Sequence, residues 1–170
     1  MTRHLLLGGA RSGKSSHAQD LALHSGLPVT MVVTAEPFDE ELRERIARHR
    51  RDRPSHWTVI EAPLDLVGAL DGLGAGHCVI VDCLTLWLNN RLHHHPQVSP
   101  HAAVEELCAA LRRCPAELIL VSNEVGMGVL PMGEITRRFV DHAGWMNQAV
   151  ARCCDRVTLV CAGLPLRVKS

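Results

Sequence analysis

The chain has 170 residues, enough for one domain with a substantial core, and its hydrophobic (46%) and charged (21%) fractions are those of an ordinary globular protein. Eighteen basic residues balance eighteen acidic ones, so no global charge points to nucleic acid or an anionic membrane surface. No apolar run approaches the roughly 20 residues of a membrane span. The short N-terminal apolar run leads into glycines, unlike a signal peptide, and seven irregularly spaced cysteines without a C-x-x-C pair read as reduced, mostly buried thiols of a cytoplasmic enzyme.

In chain order, "HLLL" (4–7) predicts a first strand and "KSSHAQDLALHSG" (14–26) a helix closed by Gly26. "PVTMVVTA" (28–35) predicts a second, buried strand, and "FDEELRERIARHRRD" (38–52) a charged helix stopped before Pro54. "HWTVIE" (56–61) is a third strand, "LDLVGALDGL" (64–73) a short helix, and "HCVIVDC" (77–83) a strand apolar enough to be buried on both faces. Two helical pieces follow, "LTLWLNNRL" (84–92) and "PHAAVEELCAALRRC" (100–114). Between them, His93 to His95 read as a solvated turn before Pro96 rather than a metal site. "AELILVS" (116–122) is a fifth strand, the glycine- and methionine-rich loop 123–133 leads to a long helix from Glu134 to Cys153, "DRVTLVCAG" (155–163) is a sixth strand and "PLRVK" (165–169) a seventh. Strands alternating with helices imply a single α/β domain spanning 1–170, with a mostly parallel sheet and right-handed crossovers.

The strongest motif is Gly8-Gly9-Ala10-Arg11-Ser12-Gly13-Lys14-Ser15, a full match to G-x-x-x-x-G-K-[ST] between a strand and a helix. Gly8 and Gly13 permit backbone angles and close approaches that a side chain would block. Successive N–H groups converge on a β-phosphate at the positive end of the following helix. Lys14 reaches the β- and γ-oxygens, and the Ser15 hydroxyl is placed for Mg2+. Asp82, after four apolar residues, is the strand-terminal carboxylate that would share the metal. The expected architecture is the three-layer P-loop NTPase fold of the RecA-like type.

The segment "ELRERIARHRRDRPSHW" crowds Arg43, Arg45, Arg48, Arg50, Arg51 and Arg53 around His49. At i, i+4 spacing, Arg45 and His49 share a helix face. Guanidinium groups suit bidentate phosphate binding. Like charge around His49 disfavours its protonation and leaves a neutral imidazole, a nucleophile toward an α-phosphate.

Taken with "VIVDCLTLWLNN" (79–90), "VSNEVGMGVLP" (121–131) and "NQAVARCCDRVTLVCAGLPLRVK" (147–169), these segments resemble the bifunctional adenosylcobinamide kinase / adenosylcobinamide-phosphate guanylyltransferase family of cobalamin biosynthesis, nearly end to end. The resemblance implies two reactions. The hydroxyl of the aminopropanol arm of adenosylcobinamide is phosphorylated with ATP or GTP. GMP from GTP is then passed to the new phosphate through a guanylylated histidine, giving adenosyl-GDP-cobinamide. His49 occupies the family's histidine position; where some relatives carry two adjacent histidines, this chain has Arg48 first.

The resemblance further implies nucleotide contacts at Thr34, Ala35 and Glu36, at Arg50, Arg51, Asp52 and Arg53, and at Glu61. Either Glu36 or Glu61 could read the guanine N1–H and N2–H2 edge. It also implies a homotrimer, with no nucleic-acid partner. Met127, in the loop after the fifth strand, suits either packing or contact with a large corrinoid. Two other functions fit parts of the sequence: a monofunctional small-molecule kinase in which His49 is surface, and a RecA-like nucleotide switch that binds nucleic acid through its arginines. Zero net charge and 3% aromatic residues weigh against the second.

Overall fold

The structure, a computed structural model, describes residues 1–38, Glu40, Arg43, Glu44, Ala47 and 54–170. Its elements are β1 (Arg3–Gly8), α1 (Lys14–His24), β2 (Val29–Val33), β3 (Thr58–Glu61), α2 (Leu66–Asp71), β4 (Cys78–Asp82), α3 (Leu84–His94), α4 (Pro100–Arg113), β5 (Glu117–Asn123), α5 (Glu134–Cys153), β6 (Arg156–Cys161) and β7 (Leu164–Lys169). Of the expected charged helix, Glu40, Arg43, Glu44 and Ala47 are helical, while His49 and the arginines at 45, 48, 50, 51 and 53 lie outside the described residues.

The seven strands form one sheet in the order β3-β2-β4-β5-β1-β6-β7. All neighbours are parallel except β6 and β7, which pair antiparallel around a turn at Ala162 and Gly163. Parallel strands run almost continuously apolar because both faces are covered. Alternation then divides each strand between two cores. Leu6, Met31, Ile80 and Ile119 pack with Ala18 and Ala22 of α1. Leu5, Val32, Val79, Val81, Leu118 and Leu120 pack with Leu70, Trp87, Leu107, Leu111, Met146 and Val150 of α2 to α5. The result is three layers.

Helix ends follow local chemistry. Gly26 has φ +69, the left-handed geometry expected just after a helix. Asp65 caps α2 by accepting from Gly68 N. α3 runs two residues past the expected Leu92, so His93 and His94 are helical and not a turn; the stop falls at His95 (φ −131), next to Pro96, which disfavours helix in the residue before it. β3 starts at Thr58 because Pro54–Trp57 forms a turn closed by Trp57 N donating to Pro54 O at 3.1 Å. Among the described residues no helix is long and apolar enough to cross a membrane. Six of the seven cysteines are buried, and Cys161 is exposed.

Candidate active site

The carboxyl ends of β1, β5, β4, β2 and β3 line one edge of the sheet. Register places Gly8 level with Asn123, Asp82 level with Val121 and Val33, and Glu61 level with Val33. Open α/β sheets bind ligands along this edge. Every described residue expected to touch nucleotide or metal lies on it or on the loop leaving it.

The loop 8–15 has the backbone of an anion cradle. Gly8 (φ +155), Arg11 (φ +56) and Gly13 (φ +98) interrupt right-handed geometry, a pattern that turns successive N–H groups toward a common centre. Gly13 caps α1, and Lys14 begins it, so the first-turn N–H groups lack intrahelical acceptors and face the positive end of the helix dipole. An added Cβ on Gly13 would come 3.2 Å from Gly163 Cα. The Gly163 amide donates to Ser12 O at 2.8 Å. The β6–β7 turn therefore braces the phosphate loop from below.

Lys14 is 6% exposed, and its Nζ donates to Gly9 O at 2.7 Å. A buried ammonium needs such partners. Here the ammonium is held on the loop it would serve. Ser15 and Asp82 are half-buried. Burial pushes the Cys83 thiol up to about 12, the Asp82 carboxylate adds to the rise, and the Lys14 charge opposes it. Lys14 and Asp82, 68 places apart in the chain, thus act on one buried thiol. The hydroxyl of Ser15 and the carboxylate of Asp82 are hard oxygen donors at one edge, a set suited to Mg2+.

Thr34 is buried, and its hydroxyl is engaged structurally: it donates to Cys83 O at 2.7 Å and accepts from Cys83 N at 2.9 Å. Asn90 Nδ2 donates to Thr34 O at 2.8 Å and to Pro63 O at 3.1 Å, pinning the ends of β2 and β3 to α3. Ala35 and Glu36 follow, half-buried, and Glu61 is exposed at the end of β3. Glu36 Oε2 lies 2.9 Å from His94 Nε2. His49, Arg50, Arg51, Asp52 and Arg53 lie outside the described residues.

Sequence reasoning missed several supports. Ser122 Oγ donates to Asn147 Oδ1 at 2.7 Å and lies 3.1 Å from Thr85 Oγ1. Thr85 Oγ1 accepts from Asn123 N at 2.6 Å, and Asn147 Nδ2 donates to Asn123 O at 3.2 Å. This network fixes the end of β5 against α3 and α5. Gly163 and His94 were missed as well. A lone Ser, Asn or His has no periodic signature, and Ala162 and Gly163 were expected to end the sixth strand, whereas that strand stops at Cys161 and the two residues form the turn into β7.

The family described as cobinamide kinase / cobinamide phosphate guanyltransferase matches residues 4–168, from β1 into β7. The chain belongs to that family. A relative in Pseudomonas aeruginosa, a bifunctional adenosylcobalamin biosynthesis protein, is 50% identical over 168 residues, covering 98% of this chain and 97% of its own. A Salmonella typhimurium relative of the same description is 37% identical over 180 residues, covering 97% and 98%. More distantly, the RadB recombinase shares the fold with a TM-score of 0.55 at 18% identity, covering 93% of this chain and 73% of that one. A Pyrococcus horikoshii protein does so with 0.59 at 9% identity, covering 99% and 86%. The chain thus shares the fold of these two proteins, with the loop 8–15 lying between its first strand and first helix.

Proposed function

We propose that this chain, acting as one domain over residues 1–170 in the cytoplasm, catalyses two successive transfers on adenosylcobinamide. The family match from residue 4 to 168, together with the braced loop around Lys14, carries the reading. In the first step the hydroxyl oxygen of the aminopropanol arm attacks the γ-phosphorus of ATP or GTP, the bond to the β-bridging oxygen breaks, and the hydroxyl proton leaves to solvent. Lys14 and the loop amides hold the β- and γ-oxygens as charge builds on them. Ser15 and Asp82 are the residues to hold Mg2+, which supplies further charge neutralisation when bound.

In the second step a neutral His49 nitrogen attacks the α-phosphorus of GTP, and pyrophosphate departs, held by Arg50, Arg51 and Arg53 with Asp52 among them. A phosphate oxygen of adenosylcobinamide phosphate then displaces the imidazole, breaking the P–N bond and forming the diphosphate of adenosyl-GDP-cobinamide. Two inversions give net retention at phosphorus and ping-pong kinetics. Guanine is read by Glu36 or Glu61. A homotrimer fits an exposed edge strand, β7, that carries Leu164, Leu166 and Val168 on one side. No step needs nucleic acid.

Incubation with GTP labelled at the α-phosphate should leave an acid-labile covalent label. His49→Ala should abolish label and GMP transfer while retaining phosphorylation of adenosylcobinamide. Full transferase activity in that variant would overturn the histidine route and leave direct transfer.

A further inference from the structure

The segment just beyond β5 exposes large apolar side chains in close succession: Met127 (80%), Val129 (98%), Leu130 (67%), Met132 (95%) and Ile135 (85%). Packing does not account for Met127, nor for the other four. The backbone that carries them is anchored. Glu124 N donates to Gly8 O at 2.9 Å, Gly126 N to Glu124 Oε1 at 2.8 Å, and Arg137 Nη1 to the carbonyls of Pro131, at 3.2 Å, and Met132. A tethered strap with its apolar side chains turned to solvent is the mark of a binding surface.

We propose that residues 125–135 form the seat of the corrinoid macrocycle, an inference that rests on the two-step reading above. Three observations choose this occupant. First, the strap is continuous with the phosphate loop. Asn123 is level with Gly8, on adjacent strands about 4.8 Å apart. A hydroxyl in line with a γ-phosphate on that loop belongs to a molecule whose bulk must extend over a neighbouring surface, and the strap begins two residues after Asn123. Second, the side chains suit the conjugated, methyl-bearing face of a large, uneven ring. Methionines and branched aliphatics adapt to such a face, and a Cβ on Gly128 would meet nothing within 4 Å, so the strap has room to be approached closely. Third, the area fits a ligand better than a second copy of the chain. At roughly 60–120 Å2 of apolar surface per side chain, five offer on the order of 300–600 Å2. One partner of a standard protein interface contributes about 800 Å2.

The test compares the intact wild-type protein with V129E/M132E. Measured quantities are KM for adenosylcobinamide in the kinase step, nucleotide affinity, and assembly mass. The charged pair should raise KM for adenosylcobinamide at least tenfold, leave nucleotide affinity within twofold and leave the mass unchanged. An unchanged KM in V129E/M132E would overturn the seat while sparing the two-step reading. So would a fall in assembly mass accompanying the rise in KM, because the strap would then be covered by a second copy. Wild-type protein that phosphorylates no adenosylcobinamide would remove the two-step reading itself, and the seat with it.

Discussion

An added Cβ at Gly8 would sit 2.3 Å from Val160 O and 2.7 Å from Ser12 Oγ, whereas one at Gly9 would meet nothing within 4 Å. The two glycines are adjacent in the phosphate loop, yet only the first is closed in by backbone from β6. Gly8→Ala must therefore displace either the strand or the loop, and overpacking of this kind costs about 1–3 kcal/mol. At about 2–4 °C per kcal/mol for a domain of this size, the melting temperature should fall by roughly 2–12 °C. Nucleotide affinity should fall with it, since the same displacement moves the N–H groups of the cradle. Gly9→Ala should change melting by under about 2 °C. Paired calorimetry and nucleotide titration of the two variants check this, and equal effects would mean that β6 does not brace the loop.

At the scale of elements, the end of β5 is held by side chains from two helices. Asn147→Leu removes the acceptor for the Ser122 hydroxyl and the donor to Asn123 O, both at buried or half-buried positions. Each stranded polar group costs about 1–3 kcal/mol, so the variant should lose about 2–6 kcal/mol. Ser122→Ala combined with Asn147→Leu should cost less than the sum of the single changes, with a coupling of about 1 kcal/mol or more in a double-mutant cycle of urea unfolding. Additive losses would dissolve the network.

These bonds also mark what the sequence conveyed and what it withheld. The backbone of the loop 8–15 was legible, because Gly8 and Gly13 answer to local backbone geometry and Lys14 to the helix start. The order of element types along the chain was legible from periodicity, and the two extra residues of α3 were missed only because a histidine run resembles a loop while nothing before Pro96 actually breaks a helix. The supports were not legible. Gly163 meets Ser12 across about 150 residues of chain, Ser122 meets Asn147 across 25, and only the closed sheet makes such pairs neighbours. The exposure of Met127 was hidden for the same reason, since a loop methionine reads alike whether it is packed inward or turned outward.

At the scale of the whole molecule, an interior strand of the sheet contains a titratable group that the fold keeps neutral. His4 lies on β1, between β5 and β6, with its Nε2 2.8 Å from Thr158 Oγ1. Burial, then the charges of Arg156 on β6, His17 on α1 and Arg167 on β7, lower its pKa from 6.5 to about 4. An unfolded chain takes up this proton near pH 6.5, and the folded protein only near pH 4. Between those values the unfolded state binds more protons, so stability rises with pH. The contribution is complete above pH 6.5 and is lost as pH falls toward 4. Allowing for partial solvent screening, it amounts to about 2 kcal/mol. His4→Gln should therefore lose less stability than wild type between pH 7 and pH 4.5, by about that amount, in urea unfolding with matched slopes. Because β1 ends in Gly8, opening this seam also dismantles the phosphate loop. Nucleotide at about 100 times its Kd should then add about 2.7 kcal/mol to both proteins while leaving the difference between their pH profiles intact. Parallel profiles for wild type and His4→Gln would show that the proton enters elsewhere, and that β1 carries no pH sensitivity of its own.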